Sequence, residues 1–322
     1  MRDHGGNLDA AIAEFGGHRS EWIDLSTGIN PCPYPLPELP DTTWTALPTR
    51  AEIASLIETA QGAYATKAAC LPTAGAQAGI QMIPRLLPTG TAKIISPTYN
   101  EHAASLKASG WQVGSVAKLD ELSGADLAVV VNPNNPDGSV SLASDLLEIS
   151  KKVGHLVVDE SFADPHPEIS LASDIEPSGN LVVLRSFGKF FGLAGVRLGF
   201  VLGPDTLISD LRDLSGPWPV SGAAIHIGNT ALSDQDWQSS AINQLANDAS
   251  RLDNLALKAG WAIEGGTTLF RLYETSDAQE AQCQLAEHKI WSRIFPYSDN
   301  WIRLGLTHGE ENWQRLEKAL TG

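Results

Sequence analysis

The residues with the clearest chemical potential lie in four short segments. Lys189 sits in Ser186-Phe187-Gly188-Lys189-Phe190-Phe191-Gly192, among three phenylalanines. An amine in apolar surroundings is pushed toward its neutral form, which frees the nitrogen to attack a carbonyl. Asp159 closes an apolar run and opens Asp159-Glu160-Ser161-Phe162. A carboxylate there is costly unless it is paired or hydrogen-bonded. Thr73-Ala74-Gly75-Ala76-Gln77-Ala78-Gly79 brings small residues to a helix opening, where bare N–H groups cradle phosphate. Asn132-Pro133-Asn134-Asn135-Pro136-Asp137-Gly138 pairs Asn with Pro twice and offers Asn135 as an amide donor. Taken singly, each segment reads as packing, a turn, a helix cap or a surface lysine. In chain order, and with Arg197 closing the lysine segment, they read as parts of one site.

The elements that position them show as apolar runs at Ala92-Ser96, Asp126-Val131, His155-Asp159, Leu181-Arg185 and Leu198-Leu202. Helix-length segments lie between several of these, including Tyr99 to Ser109 and Ser141 to Lys152. Continuous apolar strands separated by helices predict an α/β fold, a mostly parallel sheet with helices on both faces. Ligands of such sheets bind beyond the carboxyl ends of the strands, where these segments fall. Arg50 to Tyr64 reads as a helix, with a possible short helix after Asn7. The stretch from 28 to 48, with six prolines, reads as extended connector. Residues 221 to 259 read as helical. Strand-like runs at Thr267-Tyr273, Ile290-Phe295 and Trp301-Leu306 follow, then a helix from Glu310. The expected organisation is an arm and connector over 1–40, a large domain over 41–210 and a smaller α+β domain over 211–322. A nucleophilic lysine, a carboxylate for a pyridinium nitrogen and a phosphate clamp are what pyridoxal phosphate requires of a protein.

The 322 residues carry 22 Lys+Arg against 38 Asp+Glu, a net charge of −16. That balance argues against nucleic-acid partners, which need clustered basic residues. It does not exclude an anionic small ligand held by a few local arginines. No apolar run approaches membrane-spanning length, and the start at Met1-Arg2-Asp3-His4 lacks an apolar signal region. The three cysteines, Cys32, Cys70 and Cys283, are scattered without a CxxC pair, so no metal site is expected. A cytoplasmic protein fits.

From Thr73 to Arg197, and more weakly to the C-terminus, the chain resembles the aspartate-aminotransferase-type family of pyridoxal-phosphate enzymes, of fold type I. Carried over residue by residue, the resemblance makes Lys189 the lysine that bonds the cofactor. It makes Asp159 the partner of the ring nitrogen, Asn135 the amide on the ring O3′ and Tyr99 the aromatic stacked on the ring. Gly75, Ala76, Gln77, Ser186 and Arg197 correspond to the cofactor-phosphate site, and Arg303 to the arginine that grips the substrate carboxylate. His102 stands at the spacing of a histidine that supports the aspartate. The family is dimeric, which implies a homodimer.

Two branches acting on phosphorylated substrates are nearest: the histidinol-phosphate aminotransferases and the threonine-phosphate decarboxylases of cobalamin biosynthesis. His4-Gly5-Gly6-Asn7 and Asp24-Leu25-Ser26-Thr27-Gly28-Ile29-Asn30-Pro31 are similar to the decarboxylases. There a histidine, an asparagine and an arginine bind the substrate phosphate, here His4, Asn30 and Arg293. The implied activity is decarboxylation of L-threonine O-3-phosphate to (R)-1-aminopropan-2-yl phosphate and CO₂. The alternative is a histidinol-phosphate-type aminotransferase. Both outcomes use the same cofactor residues, and the choice rests on which bond at Cα is oriented for cleavage. Three positions depart from the family pattern: Phe162 where Tyr is common, Gly188 where Ser or Thr precedes the lysine, and Leu47 where a Tyr-Pro element reaches across the dimer.

Overall fold

The computed structural model describes residues 4–321 and divides the chain into two units. The larger comprises Tyr34–Asn135 and Val140–Trp237. The smaller takes in the N-terminal residues through Pro33, Pro136–Ser139 and the chain from Gln238 onward.

The larger unit is built on a seven-stranded sheet in the order 69–73, 199–203, 181–186, 155–159, 127–131, 91–95, 112–116. Five of these strands pair in parallel, and Gly199–Gly203 runs against both of its neighbours. Every residue of Leu127–Val131 and of Gly199–Gly203 is buried, so these strands are covered on both faces, as their unbroken apolar sequence requires. Ile94, Leu127, Val129, Val157, Leu184 and Val201 share one core with residues of the helices Ala76–Leu86, Asn100–Ala108 and Asp205–Ser215. The α/β architecture, mostly parallel and helix-covered, is the one expected from the sequence.

Two strands escape the apolar-run reading for physical reasons. Ala69–Thr73 carries Pro72, which a strand tolerates at the edge of a sheet, and it is the terminal strand here. The phosphate-loop segment therefore follows a sheet strand. Gln112–Val116 is the opposite edge; it is largely exposed and has no apolar run to show.

The smaller unit holds a four-stranded antiparallel sheet in the order 293–295, 298–305, 270–274, 262–267. A two-residue parallel ladder joins Ile23–Asp24 to Ile290–Trp291 and ties the N-terminal segment to this unit. The helix Leu8–Phe15 does start after Asn7, whose side chain accepts from the Ala10 N–H. The long helical stretch is broken at Asp234 into Gly222–Ser233 and Gln235–Lys258. Asp234 Oδ1 accepts from the Trp237 N–H at 3.0 Å, starting the second helix as the first ends.

The unit boundaries differ from the sequence-based division at 40 and 210. Residues 211–237 pack with the larger unit because Gly222–Ser233 lies against the helix Arg50–Ala63. Gly228 permits that approach, since a Cβ there would press on Leu198 and Leu56. No helix among the described residues is long and apolar enough to cross a membrane.

Candidate active site

Strand register gathers one group of candidate residues at one edge of the larger unit's sheet. Thr73 is opposite Gly199, Gly199 is opposite Ser186, and Val131 is opposite Asp159. The segments carrying Gly75, Tyr99, Asn135, Asp159 and Lys189 all leave the sheet at that edge, the carboxyl edge of its parallel strands.

Asp159 is the most constrained of them. It is 2% exposed, and its carboxylate takes bonds on both oxygens. Oδ2 lies 2.8 Å from His102 Nε2, and Oδ1 accepts from the Ser161 N–H at 3.0 Å and the Ser161 hydroxyl at 2.5 Å. Burial alone would raise its pKa, but the bonds from His102 and Ser161 outweigh it and hold the carboxyl below its ordinary value. The expected support of the aspartate by His102 is present in this geometry. Ser161 was not singled out from sequence, although a hydroxyl two residues past an aspartate is a common local capping pattern.

Lys189 lies on a short helical turn, Phe187–Phe190, directly after the strand Leu181–Ser186. Its Nζ stands 5.6 Å from the centre of the Phe162 ring, over an aromatic face. Phe187 stacks on Phe191 at 4.4 Å, and Phe191 stacks on Trp237 at 5.6 Å, so the lysine turn rests on a stiff aromatic base. The departure at Gly188 has a packing cause: a Cβ there would overlap the Ala194 backbone.

The small-residue loop has the form of an anion cradle. Gly75 has φ +76° and immediately precedes the helix Ala76–Leu86, so that helix's first N–H groups face outward from its start. Arg197, itself at φ +56°, reaches over the loop, and its Nη2 donates to the Ala74 carbonyl at 3.3 Å. A Cβ on Gly75 would collide with that guanidinium. Gln77 has a further use, since its Oε1 accepts from the Tyr99 hydroxyl at 3.2 Å and its Nε2 donates to buried Glu101. Tyr99 is thereby fixed edge-on to His102, at 6.1 Å. Beside half-buried Asn135, Asn134 ties two strand ends together: it accepts from Thr98 Oγ1 at 2.6 Å and donates to the Pro97 carbonyl.

The second group, His4, Asn30, Arg293 and Arg303, belongs to the smaller unit. Arg293 and Arg303 are direct cross-strand partners in its sheet. Like charges placed opposite each other are unfavourable unless an anion joins them. Burial and the neighbouring Arg293 push the Arg303 guanidinium down to about 10, so it remains charged at neutral pH. A cleft of about 550 Å³ opens in this unit, lined among others by His4, Asn7, Gln282 and Arg293. Asp277 and Asp299 also line it, but Asp277 Oδ1 is engaged in capping the helix Ala278–Glu287. Asn30 is not on this wall; it is buried, and its Oδ1 accepts from the Cys32 N–H.

The family model for class I and II aminotransferases matches residues 43–320. A threonine-phosphate decarboxylase from Sinorhizobium sp. is 42% identical, over 98% of this chain and 97% of its own. Another, from Pseudomonas aeruginosa PAO1, is 39% identical over 100% of this chain and 98% of its own. Among solved structures, a histidinol-phosphate aminotransferase from Sinorhizobium meliloti in complex with pyridoxal-5'-phosphate superposes with a TM-score of 0.81. That structure is 18% identical and covers 97% of this chain and 93% of its own, a likeness of fold. With cofactor-type residues at one sheet edge and relatives matched from end to end, the chain belongs to the class I and II aminotransferase family and, within it, groups with the threonine-phosphate decarboxylases.

Proposed function

We propose that the protein is a pyridoxal-phosphate-dependent carboxy-lyase that converts L-threonine O-3-phosphate into (R)-1-aminopropan-2-yl phosphate and CO₂, a step of cobalamin biosynthesis. The observation that carries this reading is the cross-strand arginine pair. Arg293 and Arg303 set two guanidinium groups opposite each other, and Arg293 shares a cleft with His4. A substrate with both a carboxylate and a phosphate suits such a pair.

The larger unit's residues fit pyridoxal phosphate. A buried carboxylate held ionised, a half-buried lysine beside an aromatic face and a glycine cradle under an arginine are the donor set that this group needs. When bound, the cofactor supplies an electron-accepting ring that weakens the bonds at the substrate's Cα. Asp159 would hold the proton of the ring nitrogen. Arg197, Ser186 and the N–H groups of Ala76 and Gln77 would hold its phosphate. Tyr99 would cover the ring, and Asn135 would bond its O3′. Lys189 would bind the cofactor and later deliver a proton from Nζ to Cα as general acid. In the smaller unit, Arg303 would hold the substrate carboxylate, and Arg293 and His4 its phosphate, with buried Asn30 shaping the adjoining segment through its bond from the Cys32 N–H. Fixing both ends of a short substrate fixes the orientation of Cα, which decides the bond that breaks.

The reading extends to a cytoplasmic homodimer. Leu36, Trp44 and Leu47 are 64%, 68% and 64% exposed along one proline-rich segment, an apolar surface suited to a second copy.

The test is turnover by the holoenzyme with L-threonine O-3-phosphate and no 2-oxo acid. Sustained release of CO₂ and aminopropanol phosphate is expected. Turnover of histidinol phosphate that requires 2-oxoglutarate, with no CO₂ from threonine phosphate, would overturn the assignment in favour of an aminotransferase.

A further inference from the structure

Residues 4–6 precede the helix Leu8–Phe15, and the two parts of this arm are held differently. The helix is docked by apolar packing. Leu8 and Ala11 join Trp22 and Ala286 in a small core, and Phe15, Trp22 and Trp291 contact one another at ring distances of 6.2 to 6.4 Å. Lys289 Nζ donates to the Phe15 carbonyl at 2.6 Å and closes the helix's C-terminal end.

The backbone ahead of the helix meets one fully buried residue, Ser26. The Ser26 hydroxyl accepts from the Gly6 N–H at 2.6 Å and donates to Asp24 Oδ1 at 2.5 Å. The Ser26 N–H donates to the same Asp24 oxygen at 2.9 Å. The Ser26 carbonyl accepts from Arg303 Nη2 at 2.8 Å. Gly5 lies so close to that carbonyl that a Cβ would overlap it. The Ser26 hydroxyl therefore holds the arm that carries His4, and the Ser26 carbonyl holds Arg303. Asp24 fixes the hydroxyl's direction and also favours the charged form of Arg303.

We infer that Ser26 is a positioning residue that latches the N-terminal arm to Arg303, so that the groups assigned to the two ends of the substrate are held by a single residue. The inference rests on the roles proposed above for His4 and Arg303. The latch itself is a set of hydrogen bonds within one unit. The hydroxyl is the part that a mutation can remove without touching the carbonyl that Arg303 uses.

The experiment uses holoenzyme carrying Ser26→Ala, His4→Ala and both together, with Gly5→Ala as a second way to displace the arm, one that crowds the Ser26 carbonyl but keeps the Ser26 hydroxyl. Loss of one neutral hydrogen bond predicts a rise of about 3–10-fold in KM for L-threonine O-3-phosphate, with kcat within about twofold. In the His4→Ala background, Ser26→Ala is expected to add less than about twofold, because it acts through the arm. Gly5→Ala is expected to raise KM in the same way. An equal rise in both backgrounds, or a fall in kcat with KM unchanged, would overturn the latch. Amide hydrogen exchange separates this from failure of the substrate assignment. Faster exchange at Gly5–Asn7 in Ser26→Ala supports the latch whatever the substrate proves to be, and unchanged exchange there overturns it.

Discussion

Two charged residues at the core of the larger unit, Asp159 and Arg185, and two of the smaller unit, Arg293 and His4, are held in opposite ways. In the larger unit Asp159 and Arg185 are buried and bonded to neighbouring side chains. Asp159 is closed in by His102 and Ser161. Arg185, 3% exposed, forms 2.7 Å bonds to both Glu160 and Asp164 and stacks over Tyr64. In the smaller unit, half-exposed Arg293 and exposed His4 line an open cleft. Groups that serve a cofactor need one fixed geometry. Groups that admit and release a substrate need access to solvent. Loss of one of these charges should therefore damage the chemistry or the fold in the larger unit, and selectivity in the smaller one.

The largest expected effect is that of Lys189→Ala, which should remove the cofactor's bound-state absorbance and lower kcat by about 10³-fold or more. Turnover close to wild type would take Lys189 out of its central role. Next is Arg185→Met. It strands Glu160 and Asp164 without their cation, and breaking a buried ion pair from one side costs about 3–5 kcal/mol. Urea denaturation should show that loss in the larger unit; a change under about 1 kcal/mol would mean the buried network is dispensable. Arg293→Ala should leave stability nearly unchanged and raise KM for the phosphorylated substrate about 10–100-fold, the worth of a charged hydrogen bond. A phosphate-free analogue should be affected far less, and equal losses on both substrates would break the contrast between the units.

The smallest effect is a pH dependence. The Asp159 carboxyl is held below its unfolded value of about 3.9. Its contribution to stability is complete above that value and is lost as pH falls through the lower, folded one. The difference in Tm between wild type and Asp159→Asn should therefore stay constant from about pH 8 to pH 5 and shrink below about pH 4. A difference that changed near neutrality instead would assign the titration to another group.

Much of this arrangement was legible in the sequence where burial forces a pattern. The strands His155–Asp159 and Leu127–Val131 are apolar throughout because both faces are covered, and the residues at their ends followed from that. Edge strands gave no such signal: Gln112–Val116 faces solvent, and Ala69–Thr73 contains a proline. Ser161 and Glu101 act by bonding to Asp159 and Gln77, and Asn134 by tying the chain beside Tyr99 to the segment of Asn135; a supporting side chain of this kind has no composition of its own to betray it. The cross-strand pairing of Arg293 with Arg303 depends on a hairpin register that shifts between Ile294 and Phe295, an irregularity that spacing alone does not predict. Gly188 follows from the nearby Ala194 backbone, a contact distant enough in sequence to leave no local pattern.

Decarboxylation is tested most directly by running the reaction in deuterium oxide with L-threonine O-3-phosphate and no 2-oxo acid, following CO₂ and the product by mass and NMR. Decarboxylation predicts CO₂ and 1-aminopropan-2-yl phosphate in equal amounts, with one solvent deuterium at the carbon that lost the carboxylate, delivered by Lys189. A keto product formed without CO₂, or deuterium exchange at Cα with the carboxylate retained, would contradict it.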